Sequence, residues 1–182
     1  MVIVRYRAME PTVQNYEVKQ DKNIVATLAI DNDWIIACPT VGESQTGLLD
    51  PTDDEDRTTI AENLNQPTKH GFMPWQSYVL GYEPADVTQA AMVMLPAVLD
   101  KPTTGTESVL AVTLANQPVK MRTNEVEVAY QLMASDKPTA LYNQVGEESA
   151  VPIFEIPEPD KQTTVKYFRI GIKWRARELP AQ

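Results

Sequence analysis

Apolar and polar residues alternate with a period of two along several short stretches of this chain. The clearest lies between Val165 and Arg177. There Phe168, Ile170, Ile172, Trp174 and Ala176 hold the even positions, and Arg169, Lys173, Arg175 and Arg177 hold odd ones. Side chains of a strand point alternately to opposite faces, so this pattern sets an apolar face against a cationic one. The first residues repeat it, with Val2, Val4 and Tyr6 opposite Arg5 and Arg7. Residues 125–133 give a third case: Val126, Val128, Tyr130 and Leu132 inward, Glu125, Glu127 and Gln131 outward. Further strands are expected at 24–30, 34–38, 75–82, 107–115 and 151–156, and the ambiguous segment 84–99 is assigned to strand. Asp31-Asn32-Asp33 suits a turn between two of these runs, because Asn and Asp tolerate the left-handed conformation.

One helix is expected, from about residue 52 to residue 65. Thr52 followed by Glu55 has the capping-box spacing, acids fill the first turn where the helix dipole favours them, and Pro67 stops the run. Fourteen prolines, many between the short apolar runs, disfavour long helices. The Pro- and Thr-rich segments 99–106 and 135–140 read as exposed connectors rather than inter-domain linkers. These features predict a mainly β chain: an antiparallel sandwich or jelly-roll/barrel-like domain, single over residues 1–182, with one short helix.

Composition adds few constraints. A chain of 182 residues with 43% hydrophobic content supplies its own core without staples. Its single cysteine, Cys38, and the absence of any Asn-x-Ser/Thr sequon fit folding in a reducing cytosol. Arg5 and Arg7 break the first apolar stretch, which is therefore not expected to be a signal peptide, and no run approaches the roughly 20 apolar residues of a spanning helix.

Charge changes the picture more. The net charge is −9, yet residues 161–182 hold six of the 16 Lys and Arg against a single acid. That segment is +5 and residues 1–160 carry −14. The balance argues against general nucleic-acid binding, which needs net attraction to phosphates. It allows an acidic-to-basic contact between neighbouring molecules.

Candidate chemistry fails at specific residues. Gly42-Glu-Ser-Gln-Thr-Gly47 has the glycine spacing of a phosphate-binding loop, but Leu48 and Leu49 stand where Lys and Ser or Thr are required. Ser44 lacks the second glycine of a nucleophile elbow, because Thr46 occupies that place. The acidic run Asp50, Asp53, Asp54, Glu55 and Asp56 fails as a calcium loop, with Glu55 at the glycine position and Ala61 where a bidentate Glu belongs. Cys38 and His70 are each alone of their kind, which excludes a zinc site built from this chain and leaves a thiol–imidazole dyad as the one nucleophilic arrangement. Tyr167, Phe168 and Trp174 alternate across the two faces of one strand, as in any amphipathic strand, rather than forming a base-stacking row.

No catalytic, cofactor or metal residues are therefore assigned. The leading expectation is a non-enzymatic assembly protein, a small capsid, decoration or tail subunit of a virus or bacteriophage particle folded in the host cytoplasm. Its expected partners are protein subunits, with no membrane and no small-molecule substrate, and its partner-binding residues are Arg5, Arg7, Arg169, Lys173, Arg175 and Arg177. The alternative is a carbohydrate- or peptide-binding module with Trp75, Tyr78 and Tyr82 as an exposed ring platform, and Trp34 and Trp174 in the core. A Cys38–His70 enzyme is third.

Overall fold

A computed structural model of the chain describes residues 12–69, 72–87, 96–101, 109–114, 121–122, 125–137, 139–156 and 167–177. The fold is mainly β and its sheets are antiparallel.

Strands β1 (Val13–Gln20) and β2 (Asn23–Asp31) form a hairpin, in register from Val13 opposite Asp31 to Gln20 opposite Asn23. Its two-residue turn places both Asp21 and Lys22 at positive φ, 49° and 69°. Two such residues give the turn whose twist matches that of the flanking strands. Tyr16, Val18, Leu28 and Ile30 are buried from one face of this hairpin.

The chain then enters helix rather than a turn and a second strand. Asp31 ends β2 and caps α1 (Asn32–Ala37), so the expected turn at 31–33 and strand at 34–38 are both corrected. Trp34, Ile35, Cys38 and Val41 are buried, a helical spacing, whereas Ile36 and Ala37 are exposed. A short apolar run carries no period by itself, and here the helical solution buries more of it. Pro39 opens α2 (Pro39–Gly42), where its missing N–H costs nothing. Gly42 packs directly on α1: a Cβ there would lie 2.3 Å from the Ile35 carbonyl oxygen. Strands β3 (Glu43–Ser44) and β4 (Gly47–Leu48) make a minimal surface hairpin.

Helix α3 (Asp54–Leu64) lies within the expected span, but its cap is Asp53 rather than Thr52. Asp53 Oδ1 accepts from the N–H groups of Glu55 (2.9 Å) and Asp56 (3.1 Å). The Thr52 hydroxyl donates instead to Asp50 Oδ1 at 2.7 Å. Helix α4 (Pro74–Val79) replaces the strand expected at 75–82. All six of its residues are buried, so protein surrounds it on every side and no amphipathic period exists to be read. Arg122 closes its end, donating from its backbone N–H to the Val79 carbonyl and from its guanidinium to the carbonyls of Gly81 and Tyr82. Four α-helices are thus described where one was expected.

Two three-stranded sheets follow. One orders β5 (Pro96–Lys101), β6 (Val109–Leu114) and β9 (Ile153–Ile156); the other orders β10 (Tyr167–Ala176), β7 (Val126–Ser135) and β8 (Asn143–Ser149). The segment assigned to strand at 84–99 is a 3-10 turn at Pro84–Asp86 and joins β5 only at its far end, and the connector expected at 99–106 begins inside β5. Residues 88–95 and the N-terminal strand at 2–6 lie outside the described residues.

One core joins the β1–β2 hairpin, the helices and the β7–β10 pair. Trp75, fully buried, stands at its centre. Its ring meets Trp174 edge-on at 5.2 Å, and its indole N–H donates to the Lys19 carbonyl at 3.2 Å. Trp34 meets Tyr78 in the same way at 5.0 Å. A smaller cluster, Leu132 with Phe154, Phe168 and Ile170, links β7 and β10 to β9.

Candidate interaction surfaces

The period-two reading of the last strand holds as far as Trp174, whereas Ala176, expected on the apolar face, is exposed at the strand end. Trp174 is buried and Phe168, Ile170 and Ile172 are half-buried on one face of β10, and Arg169, Lys173 and Arg175 share the other. Among the described residues β10 is an edge of its sheet. The cations are not an open row. Two residues of the neighbouring strands reach across: Glu148 of β8 accepts from Lys173 Nζ (2.5 Å) and Arg175 Nη2 (2.6 Å), and Gln131 Nε2 of β7 donates to the same carboxylate at 2.9 Å. Lys173 and then Arg175 hold the Glu148 carboxyl down to a pKa of about 2, against some burial. Gln131, expected outward and wet, is buried beneath this network.

Arg169 stacks on Tyr142, with its guanidinium carbon 4.0 Å from the ring centroid. Arg177 follows the strand and donates its backbone N–H to the Glu125 carbonyl at 3.0 Å. Arg5 and Arg7 lie outside the described residues, as does their pairing with the last strand. The cations are legible in the sequence and the acid that binds them is not, because Glu148 lies in a segment without an apolar period of two.

The ring platform is corrected. Trp75 and Tyr78 are buried in α4 and Tyr82 is half-buried, so these rings offer no open stacking surface. Cys38 is buried between α1 and α2 with its sulfur 3.2 Å from Thr40 Oγ1, and burial pushes its thiol pKa up. A raised pKa keeps the sulfur protonated and poorly nucleophilic. His70, its expected partner in a dyad, lies outside the described residues. In the acidic run, Asp50, Asp53 and Asp56 each commit one carboxylate oxygen to nearby backbone N–H groups. Ser44 bonds within its own hairpin, to Thr46 and to the Gly47 carbonyl. Among the described residues no three potential ligands gather as a metal site, and no helix is long and apolar enough to cross a membrane.

Two surfaces stand out that the sequence did not mark. The turn between β7 and β8 leaves Leu141 90% exposed. Leu141 and Val145 line a groove of about 480 Å³ with Ala134 and Ala140, and Ser135, Asp136, Lys137 and Asn143 supply its polar side. The second is a cleft of about 620 Å³ between β1 and α3, lined by Asn15, Tyr16, Glu17 and Lys19 on one side and Arg57, Thr58 and Glu62 on the other. At Asn65 the two elements are pinned together: its side chain accepts from the Lys19 N–H at 2.6 Å and donates to the Glu17 carbonyl at 2.9 Å.

No family model, no curated protein and no solved structure matches this chain.

Proposed function

We propose that this chain is a non-enzymatic assembly protein that works through contacts with other protein subunits. The observation carrying this reading is the groove at the β7–β8 turn, where Leu141 is almost wholly in water beside Val145. Exposing a large aliphatic side chain is unfavourable by about 1.5–3 kcal/mol relative to burying it, and apolar groups gathered at one surface mark interaction sites. Strand β8, which carries Val145, is a sheet edge among the described residues, and an edge offers unpaired backbone groups to a partner. The partner is other protein subunits. In its finer form the proposal is a small capsid, decoration or tail component of a virus or bacteriophage particle, on the outer side because an acidic body is repelled by packaged nucleic acid.

Sedimentation velocity of the full chain over a concentration series tests this. Wild-type protein associates, and Leu141→Glu weakens that association about tenfold or more by replacing the exposed aliphatic side chain with a charge. A lone monomer at every concentration, unchanged by Leu141→Glu, would overturn the self-association arm. Failure to co-assemble with subunits of its own particle would overturn the rest.

A further inference from the structure

The outer edge of β1 is answered along only part of its length. Antiparallel pairing turns alternate residues of β1 away from β2, and the bonds at Glu17 and Lys19 show that the odd-numbered ones face outward. Asn65 accepts from the Lys19 N–H at 2.6 Å and donates to the Glu17 carbonyl at 2.9 Å, and the Trp75 indole donates to the Lys19 carbonyl at 3.2 Å. The Asn65 carboxamide thus stands where a peptide group of a third strand would stand, with one acceptor and one donor. Toward Val13 the edge is bare. Among the described residues nothing bonds the outward N–H of Glu17 or the N–H and carbonyl of Asn15. Both residues line the cleft, and the only strand paired with β1 among the described residues is β2. Such an edge accepts a further strand.

The walls of the cleft narrow what that strand carries. Helix α3 lines it with one helical face that holds Asp54, Arg57 and Glu62. Arg57 is committed, because its guanidinium hydrogen-bonds the Tyr16 hydroxyl and pairs with Asp54 at 3.4 Å. Glu62, and Glu17 on the opposite wall, make no ion pair among the described residues. Lys19, the remaining cation, stands at the end that Asn65 closes. The open part therefore combines two free carboxylates with bare backbone groups. An anionic ligand is repelled there, and a free amine would use the acids but leave the edge of β1 unbonded. A peptide with cationic side chains answers both.

We propose that the cleft between β1 and α3 binds an extended, lysine- or arginine-bearing peptide segment of a protein partner, which adds as a strand to the β1 edge at Asn15 and Glu17. Main-chain bonds to those two residues supply the affinity, and cations set against Glu17 and Glu62 supply the selectivity. Side chains of the added strand return to the same face at every second residue, so a cation at alternate positions meets the acids twice. Asn65 ends the ladder at Lys19, which keeps the bound segment short. This surface is separate from the groove at Leu141, and each can fail without the other.

The test is an NMR titration of the full-length protein with N-acetyl-Thr-Lys-Thr-Lys-Thr-amide, following the backbone amides of Asn15, Glu17 and Glu62. Three further probes are titrated at matched ionic strength: the fully N-methylated peptide, which keeps the charges and loses the backbone donors, the same sequence with Glu for Lys, and lysinamide. The expected result is a saturable shift at Asn15 and Glu17 with the Lys peptide. N-methylation weakens it about tenfold or more, through the loss of strand bonds. The double variant Glu17→Gln/Glu62→Gln weakens it about threefold to tenfold. Both acids are exposed, so this variant melts with wild type and the comparison is free of a folding artefact. Equal binding of the N-methylated peptide, of the Glu peptide or of lysinamide overturns the proposal. So does an unchanged affinity in the double variant, a titration without shifts, or shifts confined to Leu141 and Val145.

Discussion

The β7–β10 pair and the helical segment of α1, α2 and α4 contribute to one core by opposite means. Strand β10 presents one apolar and one polar face, so its alternation is written into the sequence, whereas β7 exposes only Glu127. Helix α4 is enclosed, buried at all six positions, and the junction of α1 with α2 allows no Cβ at Gly42, although α1 turns Asp33, Ile36 and Ala37 to solvent. The difference teaches where stability and legibility part. The enclosed helical side carries the largest packing terms and the weakest sequence signal, whereas β10 carries the clearest signal and a solvent face that tolerates change.

The largest effect should therefore come from the enclosed side. Trp75→Ala removes the ring that Trp174 packs on and should cost about 3–5 kcal/mol, read as a lower midpoint in urea denaturation. Gly42→Ala forces a methyl against the Ile35 carbonyl, and a loss of about 3 kcal/mol is expected where neither backbone can give way. A negligible change in either variant would remove the contrast with the sheet. Next comes a test of where α3 begins. Asp53→Ala should cost about 1 kcal/mol by removing the acceptor for two N–H groups, and Thr52→Ala should cost less. The reverse order in thermal melts would restore Thr52 as the cap.

The smallest effect is expected on the solvent face of the sheet. Glu148 has its carboxyl held down to about 2 in the folded chain against an ordinary value of 4.5. A depressed pKa means that the unfolded chain binds the proton first. The stabilisation is therefore present above about 4.5 and is lost as pH falls from there through 2. Melting curves of wild type and Glu148→Gln should differ near neutral pH and converge in acid. A gap that stays constant down to pH 2 would mean that Lys173 and Arg175 do not hold this carboxylate.

The particular residues explain how far the sequence could be read. Strands β2, β6, β7, β9 and β10 were legible because at least one face repeats every second residue or the run is β-branched and bounded by turn signals. Strand β1 was not, since only Tyr16 and Val18 mark its buried face amid Gln14, Asn15, Glu17 and Lys19. Residues 34–38 and 75–82 are short and continuously apolar, and a buried helix and a buried strand look alike at that length. The cationic face of β10 was visible as composition, but its neutralisation depends on Glu148 lying two strands away across β7. Sequence separation hides such a partner. The same holds for the β1–α3 cleft, where Tyr16 and Arg57 meet only because Asn65 pins the helix to the strand.

The edge-on packing of Trp174 against Trp75 also bears on how the chain acquires its structure in time. The β1–β2 hairpin closes over a two-residue turn, an event of about 1–10 μs that needs nothing downstream. Trp75 cannot be sealed until β10 has been synthesised and has found β7, a pairing distant in sequence and therefore slow. During synthesis the helices consequently wait as an exposed apolar surface. That waiting interval, rather than the finished fold, is when this chain is most open to capture by a chaperone or by another copy of itself.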